Sequence, residues 1–152
     1  MASSSPLFLE DLAVGQKFRT GTITVDPERV RVFASEFDPQ PFHLDEAAGN
    51  ASIFGSLVAS GWHTAAMTMR LMVDSDMRIA GGLVGVGVEQ IRWPRPVRPG
   101  DRLRVEVEVL DVRPSRSNPS RGVVRFKSQT FNQQDEVVME QVASLIAPRS
   151  PG

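Results

Sequence analysis

Three features of the sequence predict an α+β fold in which a curved antiparallel sheet wraps around one long central helix. Residues Gly61 to Val73 form a helical stretch that is apolar nearly all round, the pattern of a helix buried in a core. Strand-like segments follow it to the end of the chain without another helix. One strand-like segment and several short helices precede it. Strands segregated from helices in this way favour a single antiparallel sheet with helices on one face.

Taken in order, the elements begin after a loose stretch, Met1 to Pro6. A short apolar-acidic segment, Phe8 to Gly15, closes in a Val14-Gly15 turn. Gln16 to Val25 alternates well enough for a strand. Asp26-Pro27-Glu28 is a helix start, with Asp26 as N-cap and Pro27 at the first helical position. Val30, Phe33, Ala34 and Phe37 supply that helix's apolar stripe, which ends at the Asp38-Pro39 break. A second short helix is expected from Asp45 to Ala48, closed by Gly49-Asn50. Ser60 caps the long helix, where Trp62, Ala65, Ala66, Met69, Met72 and Val73 keep a helical period. A strand from Gly85 to Trp93 stops at Pro94, and Arg98-Pro99-Gly100-Asp101 is a turn with proline and glycine in the central places.

From Arg102 to Val109, Leu103, Val105, Val107 and Val109 alternate strictly with Arg102, Arg104, Glu106 and Glu108. That is the mark of a half-buried antiparallel strand. Pro114 to Ser120 reads as a polar, mobile loop. Gly122 to Phe131 and Glu136 to Ile146 form a last hairpin around Asn132 to Asp135. The four consecutive strands are expected to run as a meander. Residues 7–148 are read as one domain, with 1–6 and 149–152 as flexible tails, and 152 residues suit one domain with a real core.

Composition narrows the function classes. A formal net charge of −1 argues against a nucleic-acid-binding surface. The chain has no cysteine, which removes disulfides, thiolate metal sites and thiol nucleophiles together. The first residues carry neither a basic nor an apolar region of a signal peptide, and no stretch is long and apolar enough to span a bilayer. A soluble, cytoplasmic protein is the expectation. Two histidines, no cysteine and no His-Glu-x-x-His element give no support for a metal site.

The chemistry concentrates in Asp38-Pro39-Gln40-Pro41-Phe42-His43. A carboxylate and an imidazole stand five positions apart on a stretch stiffened by two prolines, which push Asp38 and Gln40 out of ordinary helical geometry. Such a segment holds both groups toward one volume with little freedom left to lose, as an acid and a base acting on one water require. Taken alone, an Asp-His pair is better read as a capping aspartate with a histidine that satisfies a turn.

Over almost its whole length the sequence resembles the MaoC-like dehydratase family, which contains the R-specific enoyl-CoA hydratases of the hotdog fold. Phe33 to Asp45 resembles that family's hydratase motif. Leu9-Glu10-Asp11-Leu12 with Val14-Gly15-Gln16 looks like its opening approach to the sheet, and Phe54-Gly55 with Ser60-Gly61 sits at its entry to the central helix. Arg92-Trp93 with Pro96 to Asp101 looks like its turn between strands. Two positions depart from the pattern: Gln40 stands where asparagine is typical, and Ser60 where histidine is typical.

The resemblance implies that Asp38 and His43 are catalytic, adding water to a 2-enoyl thioester or removing it from a 3-hydroxyacyl thioester. The Gly61 N–H, at a helix N-terminus, is an apt donor to the negative charge that develops on the thioester oxygen. Gln40, Phe42, Ser60 and Trp62 flank these groups and are the expected substrate-binding residues. No cofactor is expected. The partners implied are an acyl-CoA-type substrate and a second copy of the chain, in a homodimer or a higher even-numbered oligomer. Nucleic acid and membrane are not expected as partners. His63 lies within the helix with no carboxylate at helical spacing and reads as structural or pocket-lining. Arg92, Arg95 and Arg98 read as ordinary strand-end arginines. A non-catalytic acyl-thioester-binding subunit and a hotdog thioesterase are the competing functions on the same scaffold.

Overall fold

The structure, a computed structural model, describes residues 5–151. Met1 to Ser4 and Gly152, read above as parts of the tails, lie outside the described residues. After a 3₁₀ turn at Leu9–Asp11 come β1 (Lys17–Thr24), α1 (Pro27–Phe37), α2 (Pro41–Leu44), α3 (Glu46–Asn50) and α4 (Gly61–Val73). Then follow β2 (Val84–Arg92), β3 (Arg102–Pro114), β4 (Arg121–Phe131) and β5 (Val137–Pro148). The five strands form one antiparallel sheet in the order β1-β3-β4-β5-β2.

Local chemistry sets these boundaries. The Asp26 side chain accepts from the Glu28 N–H, and Pro27 opens α1. Ser60 caps α4 by accepting from the Trp62 N–H, which satisfies one of the helix's four unpaired donors. In the Arg98 to Asp101 turn, the Asp101 N–H donates to Arg98 O. Gly100 there has φ +93°, a conformation that glycine adopts without steric cost and that the third place of such a turn requires. The alternation in β3 is realised: Leu103, Val105, Val107 and Val109 are buried against the core beneath α4.

Two expectations change. The four last strands do not run as a meander. β3, β4 and β5 do, but β2 pairs with β5 at the far edge of the sheet. The connection from β2 to β3 holds Pro94, Pro96 and Pro99 and cannot fold as a tight hairpin. It crosses the N-terminal end of α4 as a strap, where Val97 O accepts from the Ala59 N–H and Gly61 O accepts from the Trp93 indole.

The second change concerns α4, expected to be nearly inaccessible. It buries one face only, through His63, Thr64, Met67, Thr68, Leu71 and Met72, the i, i+1, i+4, i+5 pattern of a helix lying on a sheet. Trp62 is 59% exposed, Met69 46% and Val73 51%. A sheet of five strands covers one side of a helix and leaves the other open. Along the free edge, Val84, Val86 and Val88 of β2 are exposed as well.

Register shifts bend the sheet around α4. One falls between Arg19 and Thr22 in the β1–β3 pair, where the Thr20 hydroxyl accepts from the Val105 N–H at 2.9 Å and fills the gap in the ladder. Others lie in the β2–β5, β3–β4 and β4–β5 pairs, as expected of a strongly curved sheet. Under the helix the sheet presents Ser128 and Thr130, both fully buried. The Thr68 and Thr130 hydroxyls meet at 2.6 Å and satisfy each other. The loop after β3 is tied by its own bonds, the Ser115 N–H to Arg121 O and the Ser120 N–H to Asn118 Oδ1. Arg149 and Ser150 are held too, the first to Ser120 O and the second to the Glu10 carboxylate. Among the described residues no helix is long and apolar enough to cross a membrane.

Candidate active site

The site is built where α1 ends, α2 makes its single turn and α4 begins. Asp38 follows the last residue of α1 with φ −152° and ψ 67°, outside helical geometry, because Pro39 denies it the helical region. Gln40 is extended and caps α2, with Pro41 at its first position. His43 therefore stands on one turn of helix, in a stretch to which the sequence reading assigned no helix. Its N–H donates to Gln40 O and its Nδ1 lies 2.7 Å from Val58 O. A carbonyl oxygen only accepts, so Nδ1 carries the hydrogen, and in neutral His43 the Nε2 lone pair is free. That tautomer points Nε2 at Asp38 Oδ2, 3.3 Å away.

Both carboxylate oxygens of Asp38 have fixed donors. The Gln40 side-chain amide donates to Oδ1 at 2.8 Å, and the Ser60 hydroxyl donates to Oδ2 at 2.7 Å. Partial burial alone pushes the Asp38 carboxyl up. The Ser60 and Gln40 hydrogen bonds and the neighbouring His43 outweigh it and hold the group below its ordinary value.

Asp38, His43 and Gly61 border one cleft of about 410 Å³, walled by Phe42, Phe54, Trp62 and Trp93. Gly61 is the first residue of α4, and its N–H has no acceptor among the described residues. The indole of Trp93 lies against it, donating to Gly61 O at 2.9 Å. A Cβ on residue 61 would come within 2.6 Å of that ring, so glycine is required by the close approach. Trp93 also meets Trp62 edge to face, with ring centroids 5.1 Å apart.

Of the expected substrate-binding residues, Gln40, Phe42 and Trp62 line the cleft. Ser60 does not: it is fully buried, with its hydroxyl shared between Asp38 and the Trp62 N–H. Sequence reasoning missed Trp93 and the Val58 carbonyl as parts of the site. Trp93 was visible only as an aromatic residue in a proline-rich turn, and a backbone carbonyl has no sequence signal.

His63 is on the other side of α4, stacked on Phe33 at 4.8 Å. Burial, with Arg29 nearby, pushes its imidazole down, and its Nδ1 has no hydrogen-bond partner. The geometry separates it from the Asp38–His43 pair. Arg98 donates to Phe54 O and Arg95 pairs with Glu136. Among the described residues no group of three or more His, Asp or Glu side chains is placed to hold a metal ion.

A family model described as MaoC like domain matches residues 10–131. The crystal structure of a MaoC-like dehydratase from Rhodospirillum rubrum superposes with a TM-score of 0.92 at 51% identity, covering 96% of this chain and 99% of that one. The R-hydratase PhaJ1 from Pseudomonas aeruginosa superposes with a TM-score of 0.77 at 29% identity, covering 95% and 88%. The uncharacterised protein YdeM of Bacillus subtilis is 31% identical over 141 residues, 93% of this chain and 99% of its own length.

Proposed function

Because the chain belongs to the MaoC-like family and has the α+β hotdog fold, we propose that it hydrates 2-enoyl thioesters, or dehydrates 3-hydroxyacyl thioesters, with acyl-CoA as the carrier and R stereochemistry at the hydroxyl carbon. One observation carries this reading. Asp38 Oδ2 and His43 Nε2 stand 3.3 Å apart beside a helix N-terminus whose first N–H is free, all bordering one cleft.

Two acceptors facing the same volume take both hydrogens of a single water, one on Oδ2 and one on Nε2, and leave its oxygen lone pair directed at C3 of the enoyl group. Forming the O–C3 bond moves the C2=C3 π pair into the thioester, so negative charge gathers on its oxygen. The Gly61 N–H and the positive end of α4 stabilise that charge. His43 Nε2 takes the proton from the water as its O–H bond breaks. The imidazolium so formed has its Nδ1–H on Val58 O and the Asp38 carboxylate alongside. As the enolate collapses, the same Nε2–H bond breaks and the proton goes to C2. A carboxyl held below its ordinary value is a poor proton donor, so Asp38 keeps its charge, orients the water and balances the imidazolium.

The exposed apolar side of α4 and the valines of the β2 edge fit a second copy of the chain, joined along β2 to protect both edges. In that homodimer the aromatic cleft, with Trp62 on the same helix, lies beside the subunit boundary.

Purified protein offered enoyl-CoA thioesters of several lengths should consume them with loss of the conjugated absorbance. Binding without turnover would instead favour the acyl-thioester-binding subunit, a reading to which the Gln40 and Ser60 departures lend weight. Release of free coenzyme A would favour a thioesterase.

A further inference from the structure

We infer that Ser60 is a positioning residue for Asp38, which fixes the carboxylate oxygen facing His43 and ties it to the helix end that carries the Gly61 N–H. The inference rests on the hydratase reading above and goes beyond it. The position is one where this chain departs from the family pattern it resembles, so the role belongs to this sequence.

A hydroxyl has one hydrogen, and the geometry commits it. Ser60 Oγ already accepts from the Trp62 N–H at 3.2 Å, which turns a lone pair toward the helix. Its hydrogen is then directed to Asp38 Oδ2 at 2.7 Å, 22 residues away in the sequence. Oδ2 is also the oxygen 3.3 Å from His43 Nε2. The Gln40 amide holds the other oxygen, Oδ1, so the carboxylate cannot rotate without breaking one of two charge-assisted bonds. Gln40 can exchange its bond for water at the cleft, whereas Ser60 is fully buried and has no substitute partner.

Ser60 is moreover the N-cap of α4 and the residue before Gly61. The group that holds the water-orienting carboxylate and the group that would meet the thioester oxygen are neighbours on one rigid helix end. Their spacing is therefore set by a single peptide unit and not by two independent loops. Ser60 touches neither the cleft nor the reacting atoms and acts through Asp38. Among the described residues, His43 is the only titratable group in contact with Asp38. Arg95, the charged residue at the cleft wall, is paired with Glu136.

The test compares Ser60→Gly, Ser60→Ala and Ser60→Thr with the wild type. Glycine is the cleanest deletion, since it is tolerated as an N-cap and adds no bulk. Losing the hydroxyl should lower kcat for enoyl-CoA hydration by about 10- to 100-fold, the scale of a misplaced reacting group, with KM nearly unchanged. Ser60→Thr, which retains the donor, should recover activity if the added methyl is accommodated, as thermal melts will report. In parallel, the Asp38 side chain is titrated by carboxyl carbon NMR. Its midpoint should rise in Ser60→Gly and Ser60→Ala, because the charged form loses a donor.

Unchanged kcat and an unchanged Asp38 midpoint in folded Ser60→Gly would overturn the inference. A lowered kcat with an unchanged midpoint would also overturn it, as the sign of a merely structural role. A wild type inactive on every enoyl thioester would sink the hydratase reading separately. In that case the NMR titration alone decides whether Ser60 holds Asp38.

Discussion

Trp93 donates its indole N–H to Gly61 O at 2.9 Å and lays its ring where a Cβ on residue 61 would fall, 2.6 Å from the nearest ring atom. The contact joins residues 32 positions apart and makes the strap between β2 and β3 part of the cleft wall. It explains why the first residue of α4 is a glycine, independently of any chemistry at its N–H.

Gly61→Ala should consequently push the indole away. Overpacking of this kind costs about 1–3 kcal/mol where the neighbour cannot yield. The expected result is a lower melting temperature together with a fall in hydration kcat. Trp93→Ala in the same background should restore part of the lost stability by making room for the new methyl. Failure of that compensation would show that Trp93 is not the obstacle.

The Thr68–Thr130 pair gives a test of the core. Each hydroxyl is the other's partner in a fully buried place. Thr68→Val or Thr130→Val alone strands one hydroxyl and should cost about 1–3 kcal/mol, whereas the double variant leaves none stranded. Denaturant melts of the four proteins should give a double variant less destabilised than the sum of the singles.

Asp38 has a pH signature with a definite sign. Its carboxyl is held below the ordinary value of 3.8, so its ionised form contributes stability at pH values above that value. The contribution is lost as the pH falls through the lower, folded-state value. Asp38→Asn should be less stable than the wild type at neutral pH, and the gap should narrow under strongly acid conditions. Thermal melts of both proteins from pH 7 down to the acid limit of folding provide the measurement.

The free edge of β2 predicts assembly. Val86 is 53% exposed in one chain and lies on that edge, so a charge there should cost little within a single copy. Light scattering at micromolar concentration should give the mass of a dimer, or a larger even multiple, for the wild type. Val86→Arg should shift it toward the monomer and lower activity with it. A monomeric wild type would contradict the proposed edge-to-edge pairing.

Elements written in local patterns were legible in the sequence. The alternation of Leu103 to Val109, the Asp26-Pro27 start, the Ser60 cap and the Pro99-Gly100 turn all appear where the residues placed them. Partners far apart in the chain were not. Nothing in Val84–Arg92 says that it pairs with β5 and not β3, since both neighbours are alternating strands. The two faces of α4 carry similar apolar residues, so Met69 and Met72 look alike in the sequence although one is exposed and the other buried. At the site, the Asp38-to-His43 spacing was readable because prolines confine it. The Ser60–Asp38, Val58–His43 and Trp93–Gly61 bonds were not, because each depends on how α2, α4 and the strap meet.

The central claim, that Asp38 and His43 act on one water, is tested most directly by a double-mutant cycle in steady-state hydration of an enoyl-CoA. Asp38→Asn and His43→Ala should each lower kcat by about 10²- to 10⁴-fold, the usual scale of a positioned acid or base. Combining them should cost little beyond either change alone, because groups working as a unit are strongly non-additive. All three variants should keep their affinity for acyl-CoA, with melts confirming that they are folded. A well-folded His43→Ala protein with full activity would contradict the account.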